Sequence, residues 1–327
     1  MTAKRNIPEQ FQTSDGADIR IGLALGSGSA RGWAHIGVIQ ELAKMGIKPG
    51  IVAGSSIGAF VGAAYASNQI NKLESWVCSL TWKEIINYIE LSVIGGGFIK
   101  TDKLFKFVRN FMDRETIESL PRRFAAVATE LDTGREIWFQ EGKLLEAIHA
   151  STALPGIIAP VKLNGQWLVD GGLSNPVPVS LCRALGAKVV IAVNLNGDIV
   201  GKHARKQTRQ IENIQNQCGS DESSLLDRAS ALFSNNLHKQ KDMLLSQLFG
   251  DNLDSPGLFE VIASSINIMQ DRITRSRMAG DPPDVTLSPS LSQLGLMEFD
   301  KADIAIEEGR ACVRQMRPAL DRLMENL

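Results

Sequence analysis

The amino-acid sequence predicts an α/β fold in which a mostly parallel central sheet is flanked by helices. Apolar runs at 20–25, 50–54 and 188–195 show no polar alternation, which is typical of parallel strands buried on both faces. A helical pattern at 33–47 separates the first two runs, and a strand–helix–strand order is typical of a parallel sheet. The chain has 327 residues, of which 44% are hydrophobic, and this is enough for one large α/β domain or for two domains.

The start of the chain divides into a tail and the first elements of this domain. Residues 1–19 are polar and mixed in charge, and we expect a flexible N-terminal tail there. The domain is expected over 20–200. Its first strand, RIGLAL, leads into the glycine-rich loop GSGSARG at 26–32, and its second strand leads into a helix of small residues at 56–66.

The middle of the chain supplies further strands and helices. The pattern predicts mostly helices over 71–123, with a break at the three glycines 95–97. The pair Asn164-Gly165 predicts a two-residue hairpin turn within 161–172. The other elements predicted here are strands at 124–131 and 136–142 and helices at 143–151 and 177–186.

The last part of the chain, 201–327, is predicted to be a polar linker followed by a helical region that packs on the core. Residues 201–224 are rich in Gln, Lys, Arg, Asn and Ser, a composition typical of solvated segments. The elements predicted after them are helices at 225–249, 258–278 and 300–327 and a strand at 284–290.

Composition excludes several classes of function. The net charge is −1, so nothing global indicates a nucleic-acid partner. Four cysteines stand far apart and form no CxxC pattern, which does not favour a zinc site, and we expect neither a metal nor a cofactor. The N-terminus has no apolar signal segment, and no apolar run reaches the roughly 18 residues that span a bilayer. We therefore expect a cytoplasmic protein whose membrane contact, at the inner face, would be peripheral.

A candidate nucleophile lies in Gly-Ser-Ser-Ile-Gly at 54–58. In a G-x-S-x-G turn between a strand and a helix, the central serine is exposed at the carboxyl edge of the sheet. Gly54 and Gly58 satisfy the need for nearly side-chain-free positions around that crowded turn, and the helix N-terminus supplies free N–H groups. The spacing selects Ser56 over Ser55. A plain tight turn is the alternative.

A candidate oxyanion hole lies in the loop at 26–32. Small residues between a strand and a helix can turn N–H groups toward a developing negative charge. The same loop could bind a phosphate, but a dinucleotide-binding G-x-G-x-x-G would need a glycine where the chain has Arg31. A simple chain reversal is the remaining alternative.

The candidate base is Asp170 in Val-Asp-Gly-Gly, where Gly171 and Gly172 leave room beside the carboxylate. None of the four histidines follows a late strand, where an α/β-hydrolase triad would have its histidine. An aspartate next to a serine in a dry pocket can act as general base without a histidine. A turn of no catalytic role is the alternative. The four histidines are His35, His149, His203 and His238.

Three ordered motifs resemble the patatin-like phospholipase family, and within it the bacterial branch related to neuropathy-target esterase. They are GSGSARGWAHIG at 26–37, GSSIG at 54–58 and DGG at 170–172. The linking segments ASTALPGIIAPV and DGGLSNPVPV are also similar to that family, over roughly 20–197.

The resemblance implies a Ser–Asp dyad in a patatin-like catalytic domain, with Ser56 as nucleophile and Asp170 as base. The backbone amides of four residues would form the oxyanion hole: Gly26, Ser27, Gly28 and Ser29. Arg31 matches the arginine that precedes the last glycine of the family's loop. Relatives often have glycine at 27 and 29, so a positive φ at either serine would cost on the order of 1 kcal/mol of strain.

The expected activity is hydrolysis of lipid carboxylic esters by a serine acyl hydrolase of the phospholipase A or lysophospholipase type. One alternative is a weakly catalytic or non-catalytic regulatory protein that binds a lipid or protein partner. Another is a thioesterase or small-ester hydrolase. Apolar segments at 87–99 and 225–249 are candidates for an acyl slot or a membrane contact, or for ordinary core packing. The sequence does not predict an oligomeric state.

Overall fold

The computed structural model describes residues 12–81, 114–197 and 258–327, and positions 90, 91, 99, 100 and 109. The chain divides into two compact units, 1–198 with 267–327, and 199–266. In the second unit the described residues, 258–266, form the start of a long helix. The sheet and the site described below belong to the first unit.

The described residues contain ten strands and eight α-helices. The strands are β1 (Asp18–Leu25), β2 (Pro49–Ser55), β3 (Glu90–Leu91), β4 (Ile99–Lys100), β5 (Arg123–Glu130), β6 (Glu136–Phe139), β7 (Val161–Leu163), β8 (Gln166–Asp170), β9 (Val189–Val193) and β10 (Val285–Leu287). The helices are α1 (Ala34–Lys44), α2 (Ile57–Ala66), α3 (Ile70–Ser79), α4 (Leu144–Ser151), α5 (Val179–Ala184), α6 (Leu258–Gly280), α7 (Ala302–Gln315) and α8 (Arg317–Glu325). Three 3-10 turns lie at Ser29–Trp33, Ile117–Ser119 and Gly171–Leu173.

Eight strands form one mixed sheet in the order β10-β9-β1-β2-β5-β8-β7, with β6 paired to β5. The strands β10, β9, β1, β2 and β5 pair in parallel. The strands β6, β8 and β7 extend this core in antiparallel pairings, and β3 pairs separately with β4. The predicted fold class, a mostly parallel sheet flanked by helices, is confirmed.

Both faces of the sheet are covered, which explains the continuous apolar strands. Leu23 and Leu25 of β1 join a large apolar cluster that includes residues of α1, α2 and α7. Ala24, between them, joins a second cluster with Leu181 of α5 on the other face. A strand that buries alternate side chains on opposite faces has no polar face, as the sequence predicted.

The end of β2 and the end of β8 meet on one edge of β5. The register places Ser55 of β2 opposite Val127 and Asp170 of β8 opposite Ala128. The strand β6 pairs with β5 through these same residues, so it occupies the opposite edge. Since β2 and β8 approach from opposite directions, their last residues come together there.

The N-terminal part of the domain begins earlier than predicted. The strand β1 starts at Asp18 instead of 20, and Gln12 forms a bridge with Asp18. Asp15 makes an ion pair of 2.6 Å with the buried Arg122, so residues just before β1 are tied to the domain. Residues 1–11 lie outside the described residues.

The C-terminal part adds β10 to the sheet and ends in two helices instead of the one predicted over 300–327. The break falls at Met316, between α7 and α8. Pro318 lies in the first turn of α8, where a missing N–H is tolerated. The predicted helix at 258–278 is present as α6. The glycine break at 95–97, the polar stretch at 201–224 and the helix predicted at 225–249 lie outside the described residues.

Candidate active site

The turn that carries Ser56 joins β2 to α2 and has the backbone of a strained elbow. Ser56 has φ 57° and ψ −126°, a left-handed conformation that a side chain disfavours. Its N–H donates to Ser151 Oγ at 2.9 Å, and its side chain is 8% exposed. A Cβ at Gly54 would overlap the Gly58 carbonyl oxygen, and a Cβ at Gly58 would overlap the Leu25 carbonyl oxygen. The two glycines are therefore required by close backbone contacts.

Asp170 is fully buried and hydrogen-bonded through both carboxylate oxygens. The Ser56 hydroxyl donates to Oδ2, and the Gly172 N–H donates to Oδ1 at 2.7 Å. The Asp170 backbone is also fixed, since its N–H donates to Ala153 O at 2.9 Å and Thr129 Oγ1 donates to its carbonyl at 2.9 Å. The carboxylate is thus held against the serine by bonds from several elements.

Burial raises the pKa of Asp170 from its ordinary value of 3.8 to about 7, while the hydrogen bonds from Ser56 and Gly172 act in the opposite direction. Desolvation disfavours the charged form of a carboxyl group, and this is the larger effect here. A carboxylate with a pKa near neutrality is a better proton acceptor than an exposed aspartate, and it is still ionised in much of the population at neutral pH.

The glycine at 171 lets β8 end against β5. A Cβ there would overlap the Val127 carbonyl oxygen and would lie 2.8 Å from Ser55 Oγ. Any side chain at 171 would push the Asp170 turn away from the end of β2. This glycine is therefore part of the geometry that brings Asp170 to Ser56.

The glycine-rich loop supplies fewer free N–H groups than the sequence predicted. The Gly26 N–H donates to Val193 O at 3.1 Å, and the Ser27 N–H donates to Pro176 O at 2.9 Å. The N–H groups of Gly28 and Ser29 have no acceptor in the described part of the chain. Since the Gly26 and Ser27 N–H groups donate to backbone carbonyls, the candidate oxyanion donors are reduced from four residues to Gly28 and Ser29. Their oxyanion role stays a prediction.

The two serines of this loop differ in backbone conformation. Ser29 has φ 51°, in the left-handed region, whereas Ser27 is outside it. The backbone strain expected from a positive φ is therefore present at Ser29 and absent at Ser27.

Arg31 and His35 support the loop from within the protein. Arg31 is 6% exposed, its Nε donates to Leu294 O at 2.8 Å, and burial lowers its pKa to about 10 although Glu298 opposes this shift. His35 Nε2 lies 2.8 Å from the Gly26 carbonyl oxygen. Burial lowers the pKa of His35 to about 4, against the effect of that bond, so the ring is neutral and Nε2 carries the hydrogen.

None of the described histidines is hydrogen-bonded to Ser56. His35 and His149 are among the described residues, whereas His203 and His238 lie outside them. The same part of the chain contains no group of three side chains that could hold a metal ion. It contains no helix long and apolar enough to cross a bilayer. Cys218 is outside the described residues, and the other three cysteines are free thiols.

Ser151, Thr129 and Gln270 also contact the site and were not predicted from the sequence. Gln270 of α6 accepts a hydrogen bond of 2.8 Å from Ser27 Oγ and one of 3.1 Å from Asn196 Nδ2. Gln270 stands 243 residues from Ser27 in the chain. Nothing local marks a single glutamine in an amphipathic helix as part of a distant site.

Comparisons with known proteins match this chain to one family. A model of the patatin-like phospholipase domain matches residues 23–183. The uncharacterized NTE family protein Mb1092c of Mycobacterium bovis is 32% identical over 344 residues, which cover 96% of this chain and 96% of the relative.

More distant relatives match over smaller shares of their own length. Patatin-like phospholipase domain-containing protein 7 of Rattus norvegicus is 34% identical over 183 residues, which cover 54% of this chain and 13% of that protein. The solved structure of VipD from Legionella pneumophila has a TM-score of 0.40 and 12% identity over 98% of this chain and 72% of that one, too low a similarity to add to the fold described above. The family model and the full-length mycobacterial relative show that the chain belongs to the patatin-like phospholipase family, in its NTE group, which supports a lipid hydrolase of the esterase type in general.

Proposed function

We propose that this protein is a serine acyl hydrolase that cleaves carboxylic esters of lipids, of the phospholipase A or lysophospholipase type. One observation carries the proposal: the Ser56 hydroxyl, on a strained strand-to-helix elbow, donates its hydrogen to the buried Asp170 carboxylate. A nucleophile in contact with a base of raised pKa is the minimal equipment for acyl transfer. Membership of a family of lipid hydrolases supports a lipid ester as the substrate class.

The first half of the proposed reaction forms an acyl-enzyme. Ser56 Oγ attacks the carbonyl carbon of the ester while Asp170 Oδ2 takes the hydroxyl proton. The carbonyl oxygen becomes an oxyanion, and the N–H groups of Gly28 and Ser29 are the donors proposed to stabilise it. The C–O bond to the alcohol then breaks, and Asp170 returns its proton to the leaving oxygen.

The second half reverses the roles with water. A water molecule attacks the acyl carbon and gives a proton to Asp170. The bond between the acyl carbon and Ser56 Oγ breaks, and the serine takes the proton back. The fatty acid leaves, and the enzyme returns to its starting state with atoms and charge balanced.

Direct transfer of the Ser56 proton to Asp170 would make a histidine unnecessary in this scheme. In a triad the histidine has a pKa near neutrality and mediates between serine and aspartate. Here the burial of Asp170 brings its own pKa to about 7. The carboxylate can therefore accept and return the proton at physiological pH.

A fluorophosphonate probe on the folded, purified protein tests the proposal. We expect covalent labelling of the wild type at Ser56 and none in Ser56→Ala. The control is Ser55→Ala, because Ser55 is the adjacent buried serine and its hydroxyl has no partner among the described atoms. Lipid extracts incubated with the wild type and with Ser56→Ala would then identify the ester consumed. A folded wild type that neither labels nor releases fatty acid would overturn the proposal and favour a regulatory protein.

A further inference from the structure

Gln270 is a buried polar side chain that the hydrolytic mechanism does not use. It lies on α6 with 4% of its surface exposed. Its Oε1 accepts hydrogen bonds from Ser27 Oγ at 2.8 Å and from Asn196 Nδ2 at 3.1 Å. Ser27 follows β1 and Asn196 follows β9, so the amide joins the carboxyl ends of two adjacent parallel strands.

The same amide reaches the turn that carries Asp170. A Cβ built at Gly172 would overlap Gln270 Nε2, and it would lie 2.8 Å from Ser27 Oγ and 3.0 Å from Asp170 Oδ1. The glutamine amide, the Ser27 hydroxyl and the base therefore converge on the space that a side chain at 172 would fill. Gln270 contacts both loops that flank Ser56.

We infer that Gln270 is a positioning residue for ester hydrolysis, an inference that rests on the proposed function. It fixes Ser27, and through Ser27 the adjacent Gly28 and Ser29 N–H groups, relative to the Asp170 turn. Oxyanion donors act only when they lie about 2.7–3.1 Å from the developing charge. A displacement of about 1 Å can lower a rate by on the order of 100-fold.

The chemistry of the side chain favours this role over simple packing. A buried amide costs free energy unless its polar atoms are hydrogen-bonded. A leucine would fill a similar volume without that cost, so packing alone does not explain glutamine here. Among the described residues, Gln270 is also the partner of the Ser27 hydroxyl, so its loss would leave that hydroxyl free to turn.

The first test is a double-mutant cycle with p-nitrophenyl butyrate as substrate. We expect Gln270→Leu and Ser27→Ala each to lower kcat by about 10- to 100-fold with KM changed less than about threefold, because substrate binding is kept and donor placement is lost. The double variant should lose little more than either single variant, since both remove the same hydrogen bond. Met269→Leu is the matched control, because Met269 is the adjacent residue on α6 and is 47% exposed.

The second test uses the pH profile to check that position 270 lies close to Asp170. Gln270→Glu keeps an acceptor for Ser27 but places a carboxylate within about 6 Å of Asp170, and a like charge at that range raises a carboxyl pKa. The acidic limb of kcat against pH should move upward by about one pH unit, whereas Met269→Glu should leave it in place. A glutamine that only stabilises the fold would leave kcat of the folded Gln270→Leu variant unchanged, so the loss of kcat reports positioning and the displaced limb reports the distance to Asp170.

The outcomes distinguish this inference from the proposed function. Reduced kcat, a coupled cycle and a displaced limb support the positioning role. An active wild type with folded Ser27→Ala and Gln270→Leu variants of unchanged kcat overturns this inference alone. A wild type without turnover or fluorophosphonate labelling overturns the proposed function, and the positioning role with it.

Discussion

Two neighbouring strand–loop–helix units form this site, and they are held in different ways. The strands β1 and β2 pair in parallel, with Leu25 opposite Gly54, so the loops that follow them lie side by side. Each loop has a serine with positive φ, Ser29 at 51° and Ser56 at 57°. The elbow is fixed in part by its own residues, since the Ala59 N–H donates to Ser56 O at 2.9 Å. Two further contacts come from other parts of the chain: Ser151 Oγ accepts from the Ser56 N–H, and Gly58 packs on the Leu25 carbonyl.

The glycine-rich loop depends on distant parts of the chain. Its hydrogen-bond partners from distant parts of the chain include Pro176, Val193, Leu294, Leu296 and Gln270. The elbow therefore depends on fewer distant contacts than the loop, whose hydrogen bonds form only when the whole domain has folded. Two motifs of similar composition therefore differ in how much of their structure is determined by adjacent residues.

Removal of the nucleophile should lower activity more than any other substitution, and it tests the role of Ser56 in the elbow. Ser56→Ala should lower kcat by at least about 10⁴-fold, as in other serine hydrolases. The free energy of unfolding should fall by no more than about 1–2 kcal/mol, because the buried Asp170 carboxylate loses one of its hydrogen bonds while little packing is lost. Ester hydrolysis and thermal melting measure the two effects.

Ser55→Ala is the control for this substitution and should keep wild-type turnover. Retained turnover in a clean Ser56→Ala preparation, or equal losses in both variants, would contradict the assignment of the nucleophile.

Removal of the base should lower kcat nearly as much as removal of the nucleophile, and it should also stabilise the fold. Asp170→Asn should lower kcat by about 10³- to 10⁴-fold, because an amide cannot accept the serine proton. At pH 8.5 its Tm should exceed that of the wild type by about 2 °C or more, since a buried charge is removed. Exposed Asp132→Asn is the matched control.

The sign of this stability effect follows from the raised pKa of Asp170. In the unfolded chain the carboxyl loses its proton near 3.8, whereas in the fold it keeps the proton up to about pH 7. Between these values the folded state binds more protons, so the free energy of unfolding falls as pH rises. The Tm gain of Asp170→Asn should therefore grow from pH 4 to pH 7 and level off above. A gain that shrank with rising pH would contradict the raised pKa.

The pH profile of the wild type follows from the same carboxyl group. Since the base must be ionised, kcat/KM should rise about tenfold per pH unit below pH 7 and level off above it. The rate at pH 5 should then be about 100-fold below the plateau. A profile that is flat down to pH 5 would show that a base with an ordinary carboxyl pKa is at work.

Much of the site was predictable because its signals are local. The Gly spacing around Ser56, the buried strands and the Asn164-Gly165 turn, where both residues have positive φ, each depend on a few adjacent residues. The approach of Asp170 to Ser56 was predicted through the family resemblance. Its structural cause, two strands that meet on one edge of β5, could not be derived from either motif alone.

The other features of the site were not predictable because they depend on contacts between residues that are far apart in sequence. The Gly26 and Ser27 N–H groups donate to the carbonyls of Val193 and Pro176. No pattern in the loop sequence indicates these two hydrogen bonds. The role of Gln270 requires the position of α6. Local patterns thus predicted most strands and helices of the main sheet, although β3 and β4 fall within the stretch predicted to be mostly helical. The details of the glycine-rich loop emerged only from tertiary contacts.

His35 offers a smaller test of how the glycine-rich loop is held. Its neutral ring donates from Nε2 to the Gly26 carbonyl, so His35→Leu would leave that buried carbonyl without its partner and should lower kcat by about tenfold. Glutamine can place an Nε2 donor at a similar distance, so His35→Gln should stay within a few-fold of wild type. Kinetics of the two variants, with His149→Gln as the control, measure the difference. Equal losses in His35→Leu and His35→Gln would indicate that shape matters there, and not the hydrogen bond.

Glycine substitutions at two serines of the same loop should change thermal stability only slightly, and in opposite directions. Ser29→Gly relieves a left-handed conformation that costs a side chain about 1–2 kcal/mol, against about 0.4–1 kcal/mol of extra entropy in the unfolded chain. The net gain should be up to about 1.5 kcal/mol, which in a chain of 327 residues is a Tm rise of up to about 2 °C. Turnover should stay within a few-fold, because the N–H at 29 is kept.

Ser27→Gly should have the opposite sign. Ser27 has no positive φ to relieve, so the substitution adds entropy to the unfolded chain and removes the hydrogen bond to Gln270. We expect its Tm to fall while that of Ser29→Gly rises, with both measured by calorimetry in one buffer. Shifts of the same sign would mean that the loop does not hold its two serines in the different ways described above, one by local backbone strain and one by a distant side chain.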